Sequence, residues 1–179
     1  MLFSFYWVNF IFIVGALDPY GLYHSKKKRY VQQIVRASHA SGVDPVEALA
    51  ISLTESNLNP KAYSHTHDAG LFQINCKWWY KKLGYSSKKE CVRAMFDPAI
   101  NIKAGLHVLS YFRKNFKQCR GSLAYRCYNG GQGWTRSQNK HKIINYSTRV
   151  AERKKVISKY YKEYIADYLH HITKEANDG

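Results

Sequence analysis

The chain has 179 residues, enough for one domain with a real core, and 45% hydrophobic content marks a globular rather than a disordered polymer. Twenty-eight Lys and Arg against twelve Asp and Glu leave a formal net charge of +16, which draws the chain to polyanions: nucleic acid, acidic lipid or an anionic cell-wall polymer. There is no C-x-x-C pair and no H-E-x-x-H run, and His65 and His67 form H-x-H without a second ligand cluster, so no metal or other cofactor is assigned.

Residues 1–17, MLFSFYWVNFIFIVGAL, are apolar at 14 of 17 positions, short for a membrane span and suited to a signal-peptide core or an uncleaved anchor. Val14-Gly15-Ala16 resembles a small-residue cleavage site, but no Lys or Arg precedes the apolar run, and Lys26 to Arg29 lies on its far side. A buried N-terminal helix is the alternative. After Arg29 the chain reads as helices. Tyr30, Val31, Ile34 and Val35 form one apolar face that stops near Gly42. In DPVEALAISLTES, Pro45 takes a first helical position, and the run from Val46 to Leu53 is apolar nearly all round, which predicts a buried helix. It ends at ESNLNP, and residues 57–72 read as loop, with a small hairpin near 62–74. A short helix is expected through CKWWYKKL to Gly84, and Ser87 with Glu90 has capping-box spacing for the next. Asp97-Pro98 opens a longer helix with Ile100, Ala104, Val108, Leu109, Phe112 and Phe116 toward the core. Ser122 starts a brief helix, NGGQGW breaks the chain, and Ser147 is expected to start the last helix. The fold class is mainly α.

Between Glu47 and Glu90 the only carboxylate side chains are Glu55 and Asp68. Glu55 falls at the C-terminal end of an apolar helix, where desolvation and the negative end of the helix dipole both oppose ionisation. A raised pKa of that kind suits a general acid working near neutrality. A surface glutamate that ends its helix is the plainer alternative.

ESNLNPKAYS, GLFQIN, DPAINIKAGLHVL and CYNGGQG occur in that order and at suitable distances. Together they resemble the motifs of the lytic transglycosylase domain family, of the soluble-lytic-transglycosylase and goose-lysozyme type, over residues 28–160. The resemblance implies a lysozyme-like α-helical domain that cleaves the β-1,4 bond between N-acetylmuramic acid and N-acetylglucosamine in peptidoglycan, leaving 1,6-anhydromuramic ends. Glu55 matches the family's single catalytic glutamate, acid first and base afterwards. Ser64 matches the serine that helps to place glutamate and glycan. Gln73 matches the glutamine lining the cleft, with Phe72 in place of the usual methionine. Tyr128 and Asn129 match the A-Y-N motif, whose tyrosine hydroxyl approaches the glutamate; Tyr125 is its rival one turn away. Residues 161–179 extend beyond the family core, as a partner-docking segment or a helix packed on its own domain.

Asp68 departs from the common pattern. DAGLFQINCKWW also resembles the run in animal-type lysozymes whose aspartate, two residues before glycine, is a second catalytic carboxylate. Glu55 and Asp68 are 13 residues apart in sequence, and a retaining glycosidase would hold their carboxyls about 5–5.5 Å apart. The other reading is a turn aspartate holding backbone amides. In the same context, Cys119 and Cys127 flank a short turn and can pair, leaving Cys76 to staple Cys91; four buried thiols are the alternative. Of Trp78, Trp79 and Trp134, at most one is expected as a sugar platform. The expected partners are peptidoglycan strands and an envelope-spanning machine or phage particle, with N-terminal membrane association. Nucleic acid is not expected. Localisation follows as cell envelope or periplasm, or else a phage virion or lysis system. A hydrolytic muramidase using Glu55 and Asp68, and a non-catalytic basic binding protein on the same fold, are the rival functions.

Overall fold

The computed structural model describes residues 18–22 and 25–177. The expected signal or anchor segment 1–17 lies outside them. Among the described residues, no helix is long and apolar enough to cross a membrane. The elements in order are α1 (Ser25–Ser41), α2 (Pro45–Ser56), β1 (Asp68–Ala69), β2 (Ile74–Asn75), α3 (Cys76–Trp79), α4 (Lys88–Ala94), α5 (Pro98–Asn115), α6 (Leu123–Gly130), α7 (Lys140–Tyr160) and α8 (Lys162–Asn177). Single 3-10 turns at Lys117–Cys119 and Trp134–Arg136 flank α6. The mainly α class expected from the periodicities is the class observed.

Helix α2 is the axis of the fold. Asp44 caps it, its carboxylate accepting from the Val46 amide, and Pro45 occupies the first turn. Ala48 to Leu53 are buried on every face, because α1 and α7 pack along it from two sides while α5 and α6 complete the layer around α1 and α7. The far end stops where Asn57 and Leu58 both turn left-handed, at φ 53° and 61°. That conformation costs little for Asn but is strained for Leu, whose side chain is nonetheless held in the core. Glu47 and Arg113 add a two-pronged ion pair from α2 to α5, at 3.0 and 2.7 Å.

The hairpin pairs Asp68 with Asn75 and Ala69 with Ile74, and Tyr63 bridges to Ala69. Its turn is threaded onto the helices through buried polar groups. Asn101 on α5 donates to the carbonyls of Ala69 and Met95 and accepts from the Phe72 amide at 2.7 Å. Ser52 and Ser56 on α2 both donate to the Leu71 carbonyl. Phe72 then lies across Gly105 of α5, where an added Cβ would stand 2.3 Å from the Phe72 ring. Gly105→Ala is therefore expected to cost about 1–3 kcal/mol through overpacking, read as a lower midpoint in urea unfolding with little change of slope.

Several local expectations differ. The helix after the hairpin ends at Trp79, and residues 80–84 are turns. Ser87 caps α4 by accepting from the Glu90 amide, and the Glu90 carboxylate accepts chiefly from the Ser86 amide and hydroxyl, with the Ser87 amide of the expected box a weaker partner. Ile100 is exposed; two residues from Ile102, it lies on the other side of the first turn of α5. Ser122 precedes α6 without a side-chain capping bond. The last helix does not begin at Ser147: α7 starts at Lys140, and Ser147 sits buried within it, its hydroxyl donating to Ile144. A break at Tyr161 then separates α7 from α8. Tyr161 and Ile165 are buried, and α8 packs against α1 and α7. The cysteines pair as Cys76–Cys91 and Cys119–Cys127.

Candidate active site

Glu55 occupies the last turn of α2, half-buried, with its carboxyl turned toward α7. The Tyr146 hydroxyl donates to Oε1 at 2.6 Å. Desolvation pushes the Glu55 carboxyl up to about 8; the Tyr146 hydrogen bond opposes that rise, the Asp68 charge adds to it, and Arg149 opposes it. At pH 7 this acid is mostly protonated, beside a hydroxyl and a cation that stabilise its ionised form. Burial and the Glu55 charge hold the Tyr146 and Tyr128 phenols well above their ordinary range, so both act as neutral donors.

Tyr146 is the residue that sequence reasoning missed. Its signal was the spacing Ile143, Tyr146, Ser147, Val150, which places it on the buried face of α7 once that helix is extended back to Lys140. Tyr128, expected to approach the glutamate, instead donates to the Phe72 carbonyl at 2.9 Å. It remains near enough to feel the charges of Glu55 and Asp68, so α6 contributes a strut to the cleft loop and a second phenol beside the acid. Tyr125, the alternative register, is buried against Glu47 and Arg113 and belongs to the core. Asn129 is exposed on the last turn of α6.

Ser64 and Gln73 build the loop between α2 and α3. The Ser64 hydroxyl donates to Asp68 at 2.9 Å and accepts from the Asp68 and Thr66 amides; its hydrogen bonds go to the loop, not to Glu55. Gln73 sits at φ 45°, its amide nitrogen donating to the Ala62 and Gly70 carbonyls, so the side chain holds the tight turn that presents it. Asp68 is clasped by Ser64 and by Thr66 at 2.6 Å on one oxygen, and by the Asn75 amide at 2.5 Å on the other. Three donors satisfy most of its acceptor capacity and fix its orientation. Its charge reaches Glu55, but its hydrogen bonds are those of a loop organiser.

Trp79 is buried edge-on against Tyr111 and Phe112, and Trp134 is buried under Arg126. Trp78 is 69% exposed, leaving it the one of the three available for stacking on a sugar. No group of three or more potential metal ligands occurs among the described residues.

This arrangement places one neutral carboxylic acid beside a hydrogen-bonding phenol, below a loop locked to α2 and α5. Residues 32–147 match the family model described as "Transglycosylase SLT domain". The chain is 30% identical over 141 residues to a membrane-bound lytic murein transglycosylase C of Sodalis glossinidius, covering 65% of this chain and 37% of that one. A protein of the same name from Salmonella arizonae is 32% identical over 114 residues, covering 59% of this chain and 32% of the relative. The chain thus spans about a third of the length of these curated relatives. Among solved structures, the 70 kDa soluble lytic transglycosylase of Escherichia coli superposes with a TM-score of 0.56 at 22% identity, over 72% of this chain and 24% of that one, a likeness of fold.

Proposed function

The chain belongs to the transglycosylase SLT domain family, and from that premise we propose that it is a lytic transglycosylase acting on peptidoglycan at the cell envelope. The observation that carries the mechanism is a single raised carboxyl at Glu55, hydrogen-bonded by Tyr146, with Asp68 bound up in its own loop. Protonated Glu55 donates to the glycosidic oxygen, and the bond from that oxygen to the muramoyl anomeric carbon breaks. The resulting carboxylate is stabilised by the Tyr146 hydroxyl and the Arg149 charge. It then takes the proton from the muramoyl 6-hydroxyl as that oxygen bonds to the anomeric carbon. Glu55 returns to its starting state and no water is consumed, so one carboxyl suffices. The relatives' names, membrane-bound lytic murein transglycosylase, support both the substrate and the envelope setting. The net charge of +16 favours an anionic wall or membrane surface.

Product analysis of digested wall tests this reading: 1,6-anhydromuramic ends are expected, and reducing ends would point to hydrolysis. Asp68→Asn sharpens the test. The variant is expected to keep anhydro products at a rate within about tenfold of the wild type, because it disturbs one neighbouring charge and part of a hydrogen-bonded loop. Its alkaline pH limit should move down, since the Asp68 charge raises the Glu55 pKa. A loss approaching that of a Glu55 variant would make Asp68 a direct participant.

A further inference from the structure

The four cysteines of the chain are all spent in two bridges, Cys76–Cys91 and Cys119–Cys127, and all four side chains are buried. None of them stands in α1, α2, α5, α7 or α8, the long helices that pack the core. The bridges lie in the short elements, and each abuts a residue that holds the cleft loop. Cys76 follows Asn75, whose amide nitrogen donates at 2.5 Å to Asp68 and at 3.2 Å to the Thr66 carbonyl, while its oxygen caps α3 at the Lys77 amide. Cys127 precedes Tyr128, whose hydroxyl donates at 2.9 Å to the Phe72 carbonyl. The cleft loop is thus gripped from two sides, and each grip is anchored by a sulfur–sulfur bond one residue away.

The short elements have little else to fix them. Helix α3 is a single turn, and α4 has seven residues packed chiefly on α3; helices of that length do not hold by themselves in water. Helix α6 has eight residues and begins without a side-chain cap, and Cys119–Cys127 ties it to the turn that follows α5. Opening both bridges leaves the apolar packing of the long helices in place and releases the supports of Asp68 and Phe72 beside Glu55. We propose that the two bridges are a redox switch on the cleft: the reduced chain folds around its long helices without a working site, and oxidation of both thiol pairs turns wall cutting on, confining it to an oxidising compartment. In each pair one cysteine thiolate attacks the sulfur of a disulfide donor and expels one donor thiolate, and the second cysteine thiolate then displaces the other. Two electrons and two protons pass to the donor, which leaves as two thiols. Because the bridged sulfurs are buried, the state is set as the chain folds and is then resistant to reductant. The proposal rests on the transglycosylase reading only for wall cutting as one of its readouts.

The test folds the full chain from denaturant in two buffers, one holding dithiothreitol and one holding glutathione with glutathione disulfide. Both products are expected to show the same helical circular dichroism and the same slow amide exchange in α2. The reduced product should titrate four free thiols and lose exchange protection at the Ser64, Gly70 and Phe72 amides, which the Asp68 and Ala62 carbonyls and the Asn101 side chain hold in the oxidised fold. It should cut wall about 100-fold more slowly, the loss that a shift of about 1 Å in the supports of a site can produce. Glutathione disulfide added to the reduced product should consume the thiols and restore both rate and protection. Cys76→Ala/Cys91→Ala should stay slow in either buffer with its helical signal intact. A reduced product without the helical signal, equal protection and rate in the two products, or a wild-type rate in the variant would each overturn the proposal. If only the oxidised product protects the cleft loop and yet it cuts no wall, the switch stands and the transglycosylase reading falls. If both products give anhydro ends at one rate, the switch falls alone.

Discussion

Replacing Glu55 by Gln is expected to abolish wall cleavage while making the protein more stable at pH 8. The activity loss should be about 10³-fold or more, because one side chain supplies both proton transfers. Gln has nearly the same shape and can still accept from Tyr146, so the fold keeps its hydrogen bond. The stability gain follows from the sign of the pKa shift. The Glu55 carboxyl rises from its ordinary 4.5 to about 8 in the folded protein. Its folded form thus holds a proton that the unfolded chain has released across that interval. Its contribution to stability is fully present below pH 4.5 and is lost as pH rises toward 8. Gln does not titrate and escapes this loss. The variant should match the wild type near pH 4 and exceed it by about 3 kcal/mol at pH 7, about 6–12 °C in Tm. Thermal melts at pH 4, 7 and 8 read the difference; a variant that is less stable at pH 8 would place Glu55 in an ordinary solvated setting. The same value sets the wild-type rate profile, which should fall as pH climbs through about 8, where the acid loses its proton.

How far the sequence displayed this site depends on where each residue stands. Helix α2 was legible because its cap, its first-turn proline and its unbroken apolar run all agree, and Glu55 was legible because that helix ends there. The hairpin was expected only as a small feature near 62–74 in a loop-like stretch. The route of its hydrogen bonds did not show, because Asn101 reaches the loop from about 30 positions away and nothing local in DPAINIKAG marks its amide as buried. Ser64 and Asp68 were visible as candidates, but their mutual bond, which turns both toward loop architecture, is a fact of backbone conformation. The tryptophans were inseparable by type: Trp78 and Trp79 are neighbours in sequence, one exposed and one in the core. Tyr146 was hidden by a weak helix start. Asn139 gives α7 no side-chain capping bond, and its first turn is Lys-His-Lys, so the apolar period became readable only further on.

Tyr146→Phe is the change that separates a working hydrogen bond from mere packing. The phenol hydroxyl lies 2.6 Å from Glu55 Oε1 and favours the ionised acid. Removing it leaves the ring to fill the same space but withdraws support at the moment when Glu55 has given up its proton. A hydrogen bond to a charged group contributes about 1.5–3 kcal/mol, so kcat should fall about 10- to 100-fold. The loss should also push the Glu55 pKa higher still, moving the alkaline limit of the rate profile up by about one unit or more. A slower enzyme that tolerates a higher pH is an unusual pair of changes, and simple disruption of packing would not produce it. Tyr128→Phe offers the contrast, because that hydroxyl is spent on the Phe72 carbonyl. It should loosen the cleft loop and raise KM more than it moves the pH limit. If Tyr146→Phe slows the reaction with the limit unmoved, the tyrosine is positioning the cleft without tuning the acid, and Arg149 becomes the group left to stabilise the Glu55 carboxylate.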